Sequence, residues 1–393
     1  MSLIAVTYLL IKSVEILLII ICGMSISKLP DKFSSTKYWR IAFVAILAYA
    51  IGEGLRWGHM VDYNAGCITY NGIKGFLDDE RNPLWSIILY SFKIIGVNYN
   101  FFIFFQCAFL MFSIMVLVKD YYKYASYIMP LAIIGILMNE NFFRWFTAFG
   151  FVLIGIHYYI NNKNIKALIF YTLAVLTHFG YLFVIWLFIL FKILNRLDLK
   201  AWIVCAVFIA VDLLGDISWI AQPMNELSSL MINLGMTQEV NRGFSYLGNT
   251  EMLLNGDLSM GITESSMMAK VGRLIINVPV ILWAKKNLKE EILFFNSYYN
   301  LYVFGIIAGQ LFKMVTLLGR ISDIWVFFFC IVGGVFYSNT INIKRKISYK
   351  SIILILGILL YFAPYILGPF SREDRDMRFL WDSKGEEYDI TYL

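Results

Sequence analysis

The chain has 393 residues and is 60% hydrophobic and 17% aromatic, with only 15% charged and a mean hydropathy of +0.69. Soluble domains carry about 25% charged and about 45–50% apolar residues, so this composition excludes a water-soluble globule and makes the bilayer the solvent. The net charge of +6 does not point to nucleic acid, because the basic residues are divided into short clusters between apolar stretches, as in membrane proteins.

From the N-terminus, Met1-Ser2-Leu3 offers no basic n-region and no A-x-A-like site follows, so the first apolar stretch reads as a retained anchor. Apolar segments at 3–22, 38–52, 101–118, 124–138, 142–160, 167–177, 179–194, 201–214, 268–284, 292–312, 321–338 and 351–368 predict about twelve crossings in one polytopic domain, 1–393. Several are shorter than the roughly 20 residues that span about 30 Å of hydrocarbon, which predicts broken helices. In the first, Lys12 and Glu15 stand three residues apart and should pair on a protein-facing side. The stretch 84–97 is apolar but contains Lys93 and runs into Asn98-Tyr99-Asn100, which fits an interfacial or re-entrant helix. Cys22, Cys107, Cys205 and Cys330 lie in apolar segments and Cys67 in a loop, so no disulfide framework or CxxC site is available.

Orientation follows from Lys and Arg in alternate loops, whose excess stays in the cytoplasm. Six clusters (28–40, 119–123, 163–166, 192–200, 285–289 and 344–350) hold 18 of the 33 basic residues. They share one side only if 84–97 does not cross and 167–194 folds into a tight hairpin around His178. Both termini then lie outside, with an outer loop at 53–100, a large outer loop at 215–267 and a charged tail at 369–393.

Ionisable groups at helix ends are costly in lipid and mark sites. On the outer side they are Arg56, Asp62, Glu140, Arg144, His178, Arg273, Lys313 and Arg320. The group is basic, and arginine suits phosphate because its planar fork donates in pairs and keeps its charge when buried. Each residue also has a plainer reading: Arg56 and Arg320 as snorkelling arginines, Asp62 as a partner of Arg56, and His178 as a hydrogen-bonded core histidine. His59 and His157 read as loop and interfacial residues, Asp78-Asp79-Glu80 as a solvated acidic turn, and the alternating charges Arg372 to Arg378 as a solvated tail. Arg144, within Asn139-Glu140-Asn141-Phe142-Phe143-Arg144-Trp145, is drawn below the surface by its apolar flanks. P-loop, GxGxxG, HExxH and GxSxG motifs are absent, and three histidines without a His/Cys cluster argue against a catalytic zinc, so no metal or other cofactor is expected.

The sequence resembles the EpsG family of bacterial, Wzy-like polysaccharide polymerases. The resemblance rests on Gly54-Leu55-Arg56-Trp57-Gly58 leading to Asp62-Tyr63, then Asn82-Pro83-Leu84-Trp85, Asn141-Phe142-Phe143-Arg144, Thr177-His178-Phe179-Gly180 and Gly319-Arg320-Ile321, in that order over about residues 50 to 340. It departs from the family pattern near Gly66, at Asn82 and at Trp145, where a tyrosine, an acidic residue and a glutamine would stand. The resemblance implies an all-α, GT-C-like polytopic protein of the bacterial inner membrane, with its active site facing the periplasm or exterior. Its partners would be undecaprenyl-pyrophosphate-linked oligosaccharides, as donor and acceptor, with membrane lipid and a chain-length regulator, and no nucleic acid. In that chemistry Arg144 and Arg320, with Arg56 in reserve, stabilise the departing pyrophosphate. The acceptor hydroxyl needs a base, and the candidates are His178 and Asp62. His178 is preferred, because a carboxylate beside Arg56 would be a weak base, and activity would then fall below about pH 6.5. A flippase of lipid-linked oligosaccharide should show repeated halves and midplane charges. A membrane acyltransferase needs a cytoplasmic donor. The chain shows neither repeats nor midplane charges, and its site-marking charges lie on the face opposite a cytoplasmic donor, while a ligase using the same chemistry stays open.

Overall fold

The computed structural model describes residues 2–58, 61–140, 143–214, 267–285, 292–311, 316–341, 349–367 and 377–382. Within these the chain is helical, and an isolated antiparallel bridge between Arg56 and Phe379 is its sheet-like contact. Five helical stretches are long and apolar enough to cross a membrane: Leu3–Ser27, Tyr99–Gly135, Phe143–Ile160, Met267–Ala284 and Arg320–Thr340. Shorter apolar helices at Asn164–Thr177 and Ala201–Leu213 fall below that length, as the short segments predicted.

Helix α1 (Leu3–Ser27) begins at Ser2, whose hydroxyl accepts from the Ala5 amide at 3.2 Å. One face carries Leu3, Leu10, Val14, Leu17, Ile21 and Met24 outward, and the other buries Lys12 and Glu15, at 4% and 2% exposure. The pair forms as expected, at 3.7 Å, but it is part of a larger set. Lys12 also pairs with Glu53 of α2 (Ser35–Gly54), and Glu53 lies 3.9 Å from Arg56. Two positive and two negative side chains thus neutralise each other inside apolar protein. Helix α2 reaches its neighbours through small residues, and at Gly54 a Cβ would stand 2.5 Å from the Cα of Phe104. Such stripes of small residues let membrane helices approach closely.

Helix α3 (Val61–Gly72) was not anticipated within the outer loop. Lys93 donates to the Asn71 and Ile73 carbonyls at 2.6 and 2.7 Å, satisfying the α3 C-terminus with a cation where the helix dipole favours one. Lys93 belongs to α4 (Pro83–Ile94), whose 12 residues rise about 18 Å and cannot cross. Helix α5 (Tyr99–Val118) ends in a 3-10 segment, Lys119–Tyr124, where Tyr121 leaves helical geometry at φ −125°, ψ 28°. Helix α6 (Ala125–Gly135) then returns, so that Asn139 lies 3.0 Å from Gln106 of α5.

Helix α7 (Phe143–Ile160) packs on α8 (Asn164–Thr177). The chain reverses at His178 into α9 (Tyr181–Ile189) and α10 (Phe191–Leu194). The Tyr159 hydroxyl donates to Ile189 O at 3.0 Å and Lys192 to Asn162 at 2.9 Å, so the second arm ends beside the start of the first. This is the hairpin that the basic clusters require.

Helices α11 (Ala201–Leu214), α12 (Met267–Pro279, continued by a π turn at Val280–Ala284), α13 (Phe295–Leu311), α14 (Thr316–Val326), α15 (Phe329–Thr340) and α16 (Tyr349–Leu367) complete the bundle. Described residues of five basic clusters meet at one end, Lys285 being the described member of 285–289. Lys123 pairs with Asp31 at 2.6 Å, Lys119 donates to Ser35 at 3.2 Å, and Lys285 pairs with Asp198 at 2.8 Å. Asp120 holds His157 at 2.6 Å there, which gives that interfacial histidine a partner. Of the sixth cluster, 344–350, residues 344–348 lie outside the described residues, as do His59, 215–266, Lys313 and Arg372.

The tail departs from the solvated expectation at 377–382. Met377 and Phe379 are buried, Trp57 N donates to Arg378 O at 3.0 Å and Leu380 N to Leu55 O at 3.0 Å. The Phe379 ring stacks on Trp381 at 4.9 Å, and the Arg378 guanidinium lies over Trp57 at 5.8 Å. Apolar burial and backbone pairing hold the segment where its charges alone suggested solvent.

Removing one member of a buried ion set leaves its partner uncompensated, at about 3–5 kcal/mol. Lys12→Met should therefore lower the thermal midpoint in detergent sharply, and adding Glu53→Gln should recover a large part of the loss. Full stability in the single variant would show that the pairs are not coupled.

Candidate functional site

At the end of the bundle opposite the basic clusters, four segments converge. The turn before α4 supplies Asp79, whose carboxylate accepts from the Arg81 amide at 3.2 Å, the Asn82 amide at 3.3 Å and the Asn82 side chain at 2.7 Å. Its own amide donates to Ser86 at 2.9 Å, and Pro83, with no N–H to lose, opens the helix. The same Asp79 holds Arg144, in the first turn of α7, at 3.1 Å. The other face of Asn82 accepts the Phe179 amide at 2.9 Å, which fastens this loop to the break between α8 and α9.

His178 sits in that break with an extended backbone, φ −147° and ψ 109°, outside both helical arms. Its ring meets Trp145 edge-on at 4.9 Å, and Trp145 is fixed by Tyr181, whose hydroxyl donates to the Trp145 carbonyl at 3.0 Å. The Gly180 amide donates to His178 Nδ1 at 3.0 Å. A Cβ on Gly180 would press on the imidazole at 3.0 Å and on Trp145 at 3.1 Å, so this approach requires glycine. Burial, then the positive charges of Arg144 and Arg320, push the His178 pKa down to about 3. Asp79 acts in the opposite sense more weakly. The neutral ring is thus favoured, with Nδ1 as acceptor and hydrogen on Nε2.

Arg144 and Arg320 each lie within electrostatic reach of His178. Arg144 remains 40% exposed along its side chain, which leaves the fork able to meet a ligand. The structure does not place Arg56 with them. Its guanidinium is 1% exposed, donates to the Asn139 carbonyl at 3.3 Å and lies 4.6 Å over the Phe143 ring. Arg56 therefore braces the start of α7 from behind and does not meet a substrate phosphate in this arrangement. Asp62 lies in the first turn of α3, with its side chain outside the described residues, as is that of Glu140. Arg273 is drawn out of the basic group by Asp212, 2.7 Å away and buried.

Three site residues escaped sequence reasoning. Asp79 was read as part of a solvated turn, and the signal for it was its position three residues before Asn82-Pro83, where a carboxylate can accept the amides that precede a helix. Asn82 and Trp145 looked like departures from the family pattern, yet Asn82 joins two loops and Trp145 walls the imidazole. No three His, Cys, Asp or Glu side chains converge as a metal site among the described residues.

The EpsG family model matches residues 39–373. The chain belongs to the EpsG family. Every motif that carried the resemblance falls within the match. No curated protein and no solved structure matches the chain. Membership, with the apolar helices, makes this a membrane protein with a polysaccharide-polymerase-like role.

The low pKa gives a direct check. With the ring cation disfavoured, His178 should remain neutral down to about pH 4, so ¹⁵N NMR of histidine-labelled protein should show a protonated Nε2 with no titration between pH 5 and 8. A midpoint near the ordinary value of about 6.5 would mean that neither burial nor the arginines act on the ring.

Proposed function

We propose that this EpsG-family chain is a glycosyltransferase that joins undecaprenyl-pyrophosphate-linked oligosaccharide repeat units into a surface polysaccharide, on the outer face of the bacterial inner membrane. The observation that carries the reading is the neutral, walled His178 within reach of Arg144 and Arg320, at the end of the bundle away from the basic clusters. Basic loops stay in the cytoplasm, which supports an outward-facing site.

The chemistry suits these groups. An acceptor hydroxyl attacks the anomeric carbon of the donor, the bond from that carbon to the pyrophosphate oxygen breaks, and its electron pair leaves with the lipid pyrophosphate. Arg144 and Arg320 would meet the charge that develops there. Preformed donors in a site partly screened from water are worth more than the same contacts in solution. Asp79 holds one nitrogen of the Arg144 fork at 3.1 Å, so pyrophosphate would compete with a carboxylate as a more highly charged group.

A strain lacking the protein should show single repeats in place of long chains on a glycan gel, whereas complete loss of exported glycan would favour a flippase. Arg144→Lys and Arg320→Lys keep the charge and lose the fork. Each should lower chain extension about 10²- to 10³-fold at normal protein level, measured with lipid-linked repeat units and purified protein. Full activity in both would reduce them to snorkelling residues.

A further inference from the structure

The turn before α4 is held more firmly than a solvated acidic turn needs to be. One oxygen of Asp79, Oδ1, accepts the Arg81 amide at 3.2 Å and the Asn82 amide at 3.3 Å, and the other, Oδ2, accepts the Asn82 side chain at 2.7 Å. The Asp79 amide donates to Ser86 at 2.9 Å. Asp79 is therefore fixed by its own loop, and Arg144 Nη1 meets an oxygen already in place, Oδ2, at 3.1 Å. Arg144 and Asp79 are 40% and 38% exposed, and an ion pair so open to water adds little to stability. What it sets is the direction of the guanidinium.

Asn82 is buried and uses both ends of its side-chain amide. Its Nδ2 donates to Asp79, and its Oδ1 accepts the Phe179 amide at 2.9 Å. A carboxylate at 82 could take the second role but has no hydrogen for the first. Beyond Phe179, the Gly180 amide donates to His178 Nδ1 at 3.0 Å. Trp145, which follows Arg144 in α7, reaches the same imidazole edge-on at 4.9 Å. Two routes thus join Arg144 to the His178 break, one through the hydrogen bonds of Asp79 and Asn82 and one along α7.

We propose that Asp79 and Asn82 are positioning residues: Asp79 aims the Arg144 guanidinium, and Asn82 ties that aim to the His178 break. The assignment rests on the polymerase reading. Neither residue has to touch the sugar or exchange a proton. A cation speeds departure of pyrophosphate when it already stands where the charge develops, and a misplacement of about 1 Å can cost about 10²-fold. The turn would therefore act on the rate of glycosyl transfer more than on the hold on the lipid donor.

The test uses the full chain in lipid nanodiscs, with lipid-linked repeat units extracted from the producing strain for extension and ¹⁵N-histidine labelling for the ring. An amide at 79 has one oxygen where the carboxylate uses two, so in Asp79→Asn one set of donors loses its acceptor in either orientation. This variant should lower kcat about 10²-fold with KM little changed, and should shift the His178 resonances, which need no substrate. Asn82→Asp keeps the acceptor for the Phe179 amide but sets a carboxylate against Asp79, and should act alike. Combining the two exchanges donor and acceptor between 79 and 82. The loop tie and the His178 resonances should then return, while kcat stays low because the group facing Arg144 now donates. Should Asn82→Asp fail to insert, Asp79→Asn and the double variant carry the test. Near-normal kcat in Asp79→Asn overturns the assignment, as does a loss expressed mainly in KM. A double variant that extends at the wild-type rate, or whose resonances stay shifted, overturns it as well. A wild type that extends no chain removes the polymerase reading, whereas unshifted His178 resonances in Asp79→Asn remove the tie to the break alone.

Discussion

Lys12 and Glu53 meet between α1 and α2, where neither charge has water to fall back on. Separation would leave each ion in apolar surroundings, so the two helices have essentially one register in which they can pack. Glu15 and Arg56 join the pair from either side. Through Arg56 the constraint passes to the Asn139 carbonyl and the Phe143 ring, and so to the residue before Arg144. The candidate site is thus set on a foundation that touches no substrate. The price is a core that tolerates little: a side chain at Gly52 would run into the Glu15 carboxylate.

Above this foundation the site is assembled from loops and helix ends. Asp79 fixes Arg144, and Asn82 ties the same turn to the backbone beside His178. Trp145, next to Arg144 in sequence, walls the imidazole. A single stretch of α7 therefore supplies both the cation and the apolar wall, and burial and the arginines together keep the imidazole uncharged. Polar networks of this kind hold their geometry when every member is satisfied, and the two faces of Asn82 are both in use.

Periodicity and charge carried the large features. The Lys12–Glu15 pair, the break at His178 and the gathering of the basic clusters could each be read from spacing, because the cost of charge in lipid leaves few alternatives. The family motifs, likewise, fell inside the matched range. What could not be read were contacts between distant segments. Arg56 and Arg144 look alike as arginines at helix ends, and only the fold shows that one is walled in by Phe143 while the other reaches a loop 65 residues away. Asp79 looked solvated because its partner lies in another helix, and the 377–382 segment looked solvated because charge alternation hides Met377 and Phe379. The His178 tautomer depends on the Gly180 amide, which only the backbone turn reveals.

The shortness of the arms around His178 bears on the lipid itself. Helix α8 has 14 residues, a rise of about 21 Å against about 30 Å of hydrocarbon. Ile165, Leu168, Ile169 and Trp186 nevertheless face outward along the two arms. Lys163 and Lys166 anchor one end at the headgroups, so the deficit falls at the His178 end. There the leaflet must dip to meet the protein, since a short apolar span is accommodated by local thinning. A lipid with its reactive phosphates at headgroup level would be carried down by that dip towards the His178 break, and the hydrophobic mismatch would do part of the delivery that a hinged lid does in soluble enzymes.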